Sequence, residues 1–236
     1  MFGDQANTEL LLRALPDAEA VRTPLRARPA FLDRQVDLVY MGSMTERGQA
    51  RAAAALAPLG AEIGSRIDAG ARVLATGNSL EIFGKYIDCG DGSRIEGLGL
   101  FDVYARRDMA HRYNGLFLGK YGDIDIVGFQ SRFSHLYDTG NTPQAPPPAD
   151  GAQDFLFETV RGAGRRPGDA RAGLRRANFM ATYVLGPLLI LNPLFTKKLL
   201  LDMGAPPAEL PFEPAAMDSY KTRLREFEDT KTGFEY

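Results

Sequence analysis

The stretch "RVLATGNSLEIFGKYI", Arg72 to Ile87, decides the fold. Its first part, Val73 to Thr76, is a short apolar run of the kind that forms a strand buried on both faces. Thr76-Gly77-Asn78 reads as a tight turn, and the residues after it are spaced as an amphipathic helix. A strand that drives into a sharp turn before a helix holds a nucleophile at the mouth of an α/β sheet. The apex residue here is Gly77, which has no side chain. Glycine adopts positive φ without a Cβ penalty, so the turn conformation is kept while the reactive group is absent. The amides of Asn78 and Ser79, at the expected helix start, are candidates to hold a carboxylate or phosphate.

Outward from this stretch the pattern alternates strand and helix. "VDLVYMG", Val36 to Gly42, is a second continuous apolar run, and "TERGQARAAAALAPLG" follows as an alanine-rich helix. Thr45 is its candidate cap, and Glu46 in the first turn favours the helix dipole. "AEIGSRIDAG" continues the helical pattern to Gly70. Strand, helix, strand implies a parallel sheet with right-handed crossovers. Ahead of it, "NTELLLRAL" reads as a short helix capped by Asn7 or Thr8. Beyond the elbow, "RIEGLGLFDVYA", "NGLFLGKY", "IDIVGFQSRF", "FLFETVRG" and "ANFMATYVLG" are strand-like pieces separated by turns, which predicts an antiparallel extension of the core. Residues 137–154, rich in Pro, Gly and Asp, are expected to form a mobile loop, and "NPLFTKKLLLDMG" and "EPAAMDSYKTRLREFED" two closing helices with a flexible tail over 228–236.

Composition narrows the function classes. The chain has 236 residues and a net charge of −2, which argues against nucleic acid or an anionic membrane as main partner. A single cysteine, Cys89, excludes an internal disulfide framework and fits a reducing cytoplasm; two histidines, His111 and His135, leave little for a metal site. Neither a metal nor a cofactor is expected. "YVLGPLLILNPLF", the longest apolar run, is too short to span a bilayer. "RGAGRRPGDARAGLRR", Arg161 to Arg176, carries six arginines and one aspartate. Arg165, Arg166, Arg175 and Arg176 are therefore candidates to contact an acidic partner or a phosphate, against the plainer reading of a solvated loop.

Segments taken in order carry a family resemblance: "MFGDQANTELL", "VYMGSMTERGQ", "LATGNSLEIFG" and "NFMATYVLGPLL". The chain resembles the class I glutamine amidotransferase domains of the cobyric acid synthase type, and within them the amidotransferase subunit of lipid II isoglutaminyl synthase. The resemblance implies one α/β domain over 1–236, with a flavodoxin-like parallel sheet flanked by helices. It places the oxyanion-hole turn at Gly42 and Ser43, the nucleophilic cysteine at Gly77 and the catalytic histidine at Leu185. Neither group is present, and loss of the nucleophile alone costs on the order of 10⁶ in turnover in a serine protease. No catalytic residue of the pair is retained. The remnant pocket is expected to be lined by Gly42, Ser43, Gly77, Asn78, Ser79, Arg132 and His135, with Glu81 at its rim. Cys89 and His111 are expected to be an ordinary thiol and a solvated histidine.

The resemblance implies a Mur-ligase-like partner in cell-wall precursor amidation, with this chain as scaffold or regulator. Two alternatives stay open: an active glutamine-dependent subunit that supplies ammonia for lipid II amidation, and a stand-alone module that binds a small, anionic molecule in the vacated pocket. In this family a buried first strand precedes "MFGDQAN". Its absence here predicts either about 10–20 further residues ahead of Met1, enough for one strand, or an open sheet edge beside "VDLVYMG".

Overall fold

The first helix, α1 (Gln5–Ala14), starts at Asp4, earlier than the expected caps Asn7 and Thr8. Asn7 is buried within it, because its amide is used elsewhere in the fold. The computed structural model describes residues 3–140, 154–206 and 209–235. After the one-turn helix α2 (Ala30–Asp33) comes β1 (Val39–Met41), which ends in the Gly42 turn. Helix α3 (Glu46–Leu56) follows, with the Gly48 amide donating to Thr45 Oγ1 at 3.1 Å as the sequence predicts. Helix α4 (Gly60–Asp68) leads to β2 (Val73–Thr76).

Past the elbow the structure corrects the sequence reading. Gly77–Phe83 is a 3-10 turn, not the start of an amphipathic helix, and β3 (Tyr86–Asp88) begins directly after it. Ser79, Leu80, Glu81, Ile82 and Phe83 are all buried, so this turn has no solvent face for a helix to present. The remaining strands are β4 (Arg94–Glu96), β5 (Val103–Arg107), β6 (Tyr113–Tyr121), β7 (Ile124–Arg132), β8 (Ser134–Asp138), β9 (Phe157–Arg161), β10 (Arg171–Ala172), β11 (Leu174–Arg176) and β12 (Phe179–Thr182). Three helices close the chain: α5 (Leu188–Leu191), α6 (Pro193–Asp202) and α7 (Glu213–Glu228).

The central sheet has the order β1-β2-β12-β11, with β2 parallel to both neighbours and β11 antiparallel to β12. The expected antiparallel extension is two further four-stranded sheets. One, β10-β9-β6-β7, is wholly antiparallel; the other, β4-β3-β5-β8, has one parallel pair, β3 with β5. Side chains alternate across β2. Val73 and Ala75 enter the core under α3 and α4, while Leu74 enters the core under α1, α5 and α6. Among the described residues β1 pairs only with β2, so its outer edge carries no strand.

Most of the loop expected over 137–154, residues 141–153, lies outside the described residues. Residues 229–235, read from the sequence as a loose tail, are docked. The Leu116 amide donates to Phe234 O at 2.7 Å, and the Arg161 guanidinium donates to the carbonyls of Phe227, Asp229 and Thr232. Among the described residues no helix is long and apolar enough to cross a membrane.

Candidate functional site

Strand β2 delivers the chain to Gly77, whose φ of 63° is left-handed and suits glycine. A Cβ at this position would lie 2.5 Å from Ser43 Cβ, 3.2 Å from Ser43 Cα and 3.3 Å from Leu185 Cδ2. Three segments distant in sequence thus meet at one point: the Gly42 turn, the elbow, and the segment after β12. Leu185 is buried, and its backbone pairs with Phe129 through Leu185 N to Phe129 O at 2.8 Å. Gly77 and Leu185 are thus close in space, one with only a hydrogen and the other with an isobutyl group as side chain.

The turn below is held by a buried carboxylate that the composition did not single out. Asp4 Oδ2 accepts from the Ser43 amide at 2.6 Å and from Thr76 Oγ1 at 2.7 Å, and Oδ1 accepts from Asn7 Nδ2 at 2.9 Å. Asn7 also donates to Tyr40 Oη at 2.8 Å and accepts from the Leu189 amide at 2.8 Å. Burial, with the Asp4 charge beside it, pushes the Tyr40 phenol above its ordinary range, so it stays protonated as a donor. Next along the turn, Asn78 closes a reciprocal pair with Met44: Met44 N donates to Asn78 Oδ1 at 3.0 Å and Asn78 Nδ2 donates to Met44 O at 2.9 Å. The amides of Ser43 and Met44 are therefore directed at side-chain oxygens of the chain itself. Ser79 is buried, with Oγ 2.7 Å from Thr76 O and 3.0 Å from Met41 O. The open helix start that was to hold an anion at Asn78 and Ser79 is replaced by this buried turn.

Beneath the elbow sits a second polar cluster. Glu81, expected at the pocket rim, is buried in its centre. Its Oε2 accepts from Gln49 Nε2 at 2.8 Å and its Oε1 from Tyr183 Oη at 3.1 Å. Gln49 also donates to Asn78 O and accepts from Arg107, whose guanidinium lies 3.9 Å from the Glu81 carboxylate. Burial raises the Glu81 carboxyl above its ordinary value, against the pull of Gln49, Arg107, Tyr183 and Ser134 toward the ionised form. Arg132 lies with its guanidinium 4.0 Å from the centre of the Tyr183 ring and donates to Gly164 O at 3.0 Å. Burial lowers it to about 10, so it remains a cation at neutral pH.

A cavity of about 20 Å³, lined in part by Ser43, Asn78, Gln49, Glu81, Arg107 and Arg132, separates these two clusters. It holds about one water molecule. Ser43, Asn78 and Arg132 thus meet as the sequence anticipates, with Gly42 and Gly77 packed behind them. His135 does not join them. It alternates with Ser134, which faces the cavity, and its ring lies 5.9 Å from that of Tyr113. Burial, then the Arg132 charge, lowers the imidazole to about 4, so it is neutral at physiological pH.

Four of the six arginines from Arg161 to Arg176 meet acidic groups of their own chain. Arg165 is 1% exposed and pairs with Asp138 at 3.3 Å and Asp154 at 3.1 Å. Arg166 pairs with Asp169 at 3.4 Å, and Arg176 with Asp68 at 3.2 Å, while Arg175 lies 5.1 Å from the Tyr121 ring centre. A buried guanidinium requires such pairing, and the partners of Arg165 come from the end of β8 and from the residues just before β9. Exposed His111 contacts Asp108 at 2.8 Å, and Cys89 is half-buried near Ile87 O. Among the described residues no group of His, Cys, Asp and Glu side chains is placed to hold a metal ion.

Fold and site together define a mixed α/β protein with parallel strands at its centre and a tight glycine turn at the end of β2. No protein-family model matches the chain. It is 25% identical, over 185 residues, to "Lipid II isoglutaminyl synthase (glutamine-hydrolyzing) subunit GatD" of Staphylococcus aureus (strain N315). The match covers 78% of this chain and 70% of that protein. The likeness is distant.

Proposed function

We propose that this chain is a class I glutamine amidotransferase-like subunit, one domain with a flavodoxin-like core, that does not hydrolyse glutamine. The observation that supports this most strongly is the elbow itself. Gly77 and Leu185 lie close together at the place where the resemblance puts cysteine and histidine, and neither can supply a thiolate or take its proton. The Ser43 and Met44 amides beside it are engaged by Asp4 and Asn78.

By its distant likeness to a subunit of lipid II isoglutaminyl synthase, the chain acts in lipid II amidation through a Mur-ligase-like partner in the cytoplasm, as scaffold or regulator. Ammonia then reaches that partner from solution. The test is a reconstitution of this chain with a co-purified Mur-ligase-like protein, ATP and lipid II. Amidation supported by ammonium chloride and not by glutamine is the expected result. Amidation driven by glutamine would overturn the reading in favour of an active subunit.

A further inference from the structure

A groove of about 750 Å³ lies on the opposite side of α3 from the elbow clusters, between that helix and the segment around Leu25. Its apolar surface comes from Leu25, Ala55, Pro58 and Leu59, and Leu25 is 48% exposed. The charged side chains along it are all arginines. Arg28 is neutralised by Asp33 at 2.7 Å and by Glu62. Arg26 and Arg51 are exposed and form no ion pair among the described residues. Among the described residues no acidic side chain lines the groove. This departs from the basic cluster at Arg161–Arg176, where Arg165, Arg166, Arg171 and Arg176 pair with acids of the same chain.

We propose that this groove receives an acidic segment with one apolar face, contributed by a partner subunit. The apolar face would cover Leu25, Ala55, Pro58 and Leu59, and flanking carboxylates would meet Arg26 and Arg51. An apolar groove with a charged rim fits docking of an amphipathic segment, and the single sign of the rim selects an acidic one. A small molecule is a poorer match, because the groove lacks the converging polar groups that fix a ligand's orientation. Helix α3 carries Gln49 into the elbow cluster on its buried face and Arg51 on its exposed one. A partner seated here therefore bears on the helix that supports the vestigial site. The inference rests on the subunit reading above, but not on whether glutamine is hydrolysed.

The probe is a synthetic amphipathic peptide of leucine, alanine and glutamate, with a control in which lysine replaces glutamate. Binding to the whole chain is followed by fluorescence anisotropy, and the site is mapped by amide NMR shifts. The acidic peptide is expected to bind and shift residues 25–28 and 51–59. Arg26→Glu with Arg51→Glu should weaken it about tenfold or more, with an unchanged circular dichroism melt showing that the fold is kept. The lysine peptide should not bind. Absence of binding, shifts elsewhere, or equal affinity for the charge-reversed variant would overturn the proposal. Two other results would do so: binding of phosphatidylglycerol vesicles in place of the peptide, or a self-dimer abolished by the same charge reversal. Glutamine hydrolysis alongside peptide binding would refute the non-hydrolytic reading and leave the docking surface standing.

Discussion

Two surfaces meet at Gly77, and they differ in kind. Below the elbow, Asp4, Asn7, Tyr40 and Thr76 form a closed set of hydrogen bonds, and Gln49, Glu81, Arg107 and Tyr183 form another. Above it, Gly77 meets Leu185 across an apolar contact. A buried polar network is costly to break one member at a time, since each orphaned partner retains its desolvation cost. A glycine against a leucine leaves no polar group unsatisfied. On the proposed reading, the contrast explains how a chain could lose both members of a reacting pair while keeping the frame around them.

The largest effect is expected from breaking the polar side of this contrast. Asp4→Ala removes a partner from the Ser43 amide, the Thr76 hydroxyl and the Asn7 amide group, each loss worth roughly 1–3 kcal/mol, with Tyr40 still bonded to the last two. Urea unfolding should show a loss of at least about 3 kcal/mol after water fills part of the gap; a loss under about 1 kcal/mol would mean the network is not what holds the turn. The elbow itself comes next. Gly77→Ala places a Cβ against Ser43 in a left-handed backbone, at an expected cost of about 2–3 kcal/mol. A neutral or stabilising result would show that the turn relaxes freely.

How much of this was legible depends on how local each signal is. The Val73–Thr76 strand, the positive φ at Gly77 and the Thr45 cap follow from consecutive residues and can be read directly. The 3-10 turn was misread as a helix because "LEIF" has apolar residues at helical spacing. Its burial on every side comes from packing under α3 and against β5, which spacing cannot show. The Glu81 cluster draws on residues 49, 81, 107, 132, 134 and 183, each unremarkable where it stands. The pairing of the arginine segment was hidden for the same reason: Asp68 and Asp138 sit far from it in sequence.

Restoring reactivity should require changing the turn as well as the pair. In Gly77→Cys with Leu185→His the new Cβ still faces Ser43 at 2.5 Å, so a glutamine-like electrophile should label the thiol slowly. Adding Ser43→Gly removes that contact, and labelling followed by mass spectrometry should rise about tenfold, the effect of roughly 1.4 kcal/mol of relieved strain. Equal labelling of the two variants would show that Ser43 is no obstacle.

The smallest effect is expected at His135. Its imidazole is lowered from the ordinary 6.5 to about 4, so the folded state disfavours the proton that the unfolded chain takes up. The stability this contributes is present above pH 6.5 and is lost as the pH falls toward 4. His135→Phe keeps a ring beside Tyr113 and should flatten the decline in melting temperature over that window. An unchanged slope would assign the decline to other groups.

The most direct test is ammonia release from glutamine by the purified chain, measured against a protein-free blank. An elbow whose apex is Gly77 and whose neighbour is Leu185 predicts no release above the blank. Release that exceeds the blank and disappears in Asn78→Ala or His135→Ala would contradict the account, because a rewired site would then be doing the chemistry that the vacant pair cannot.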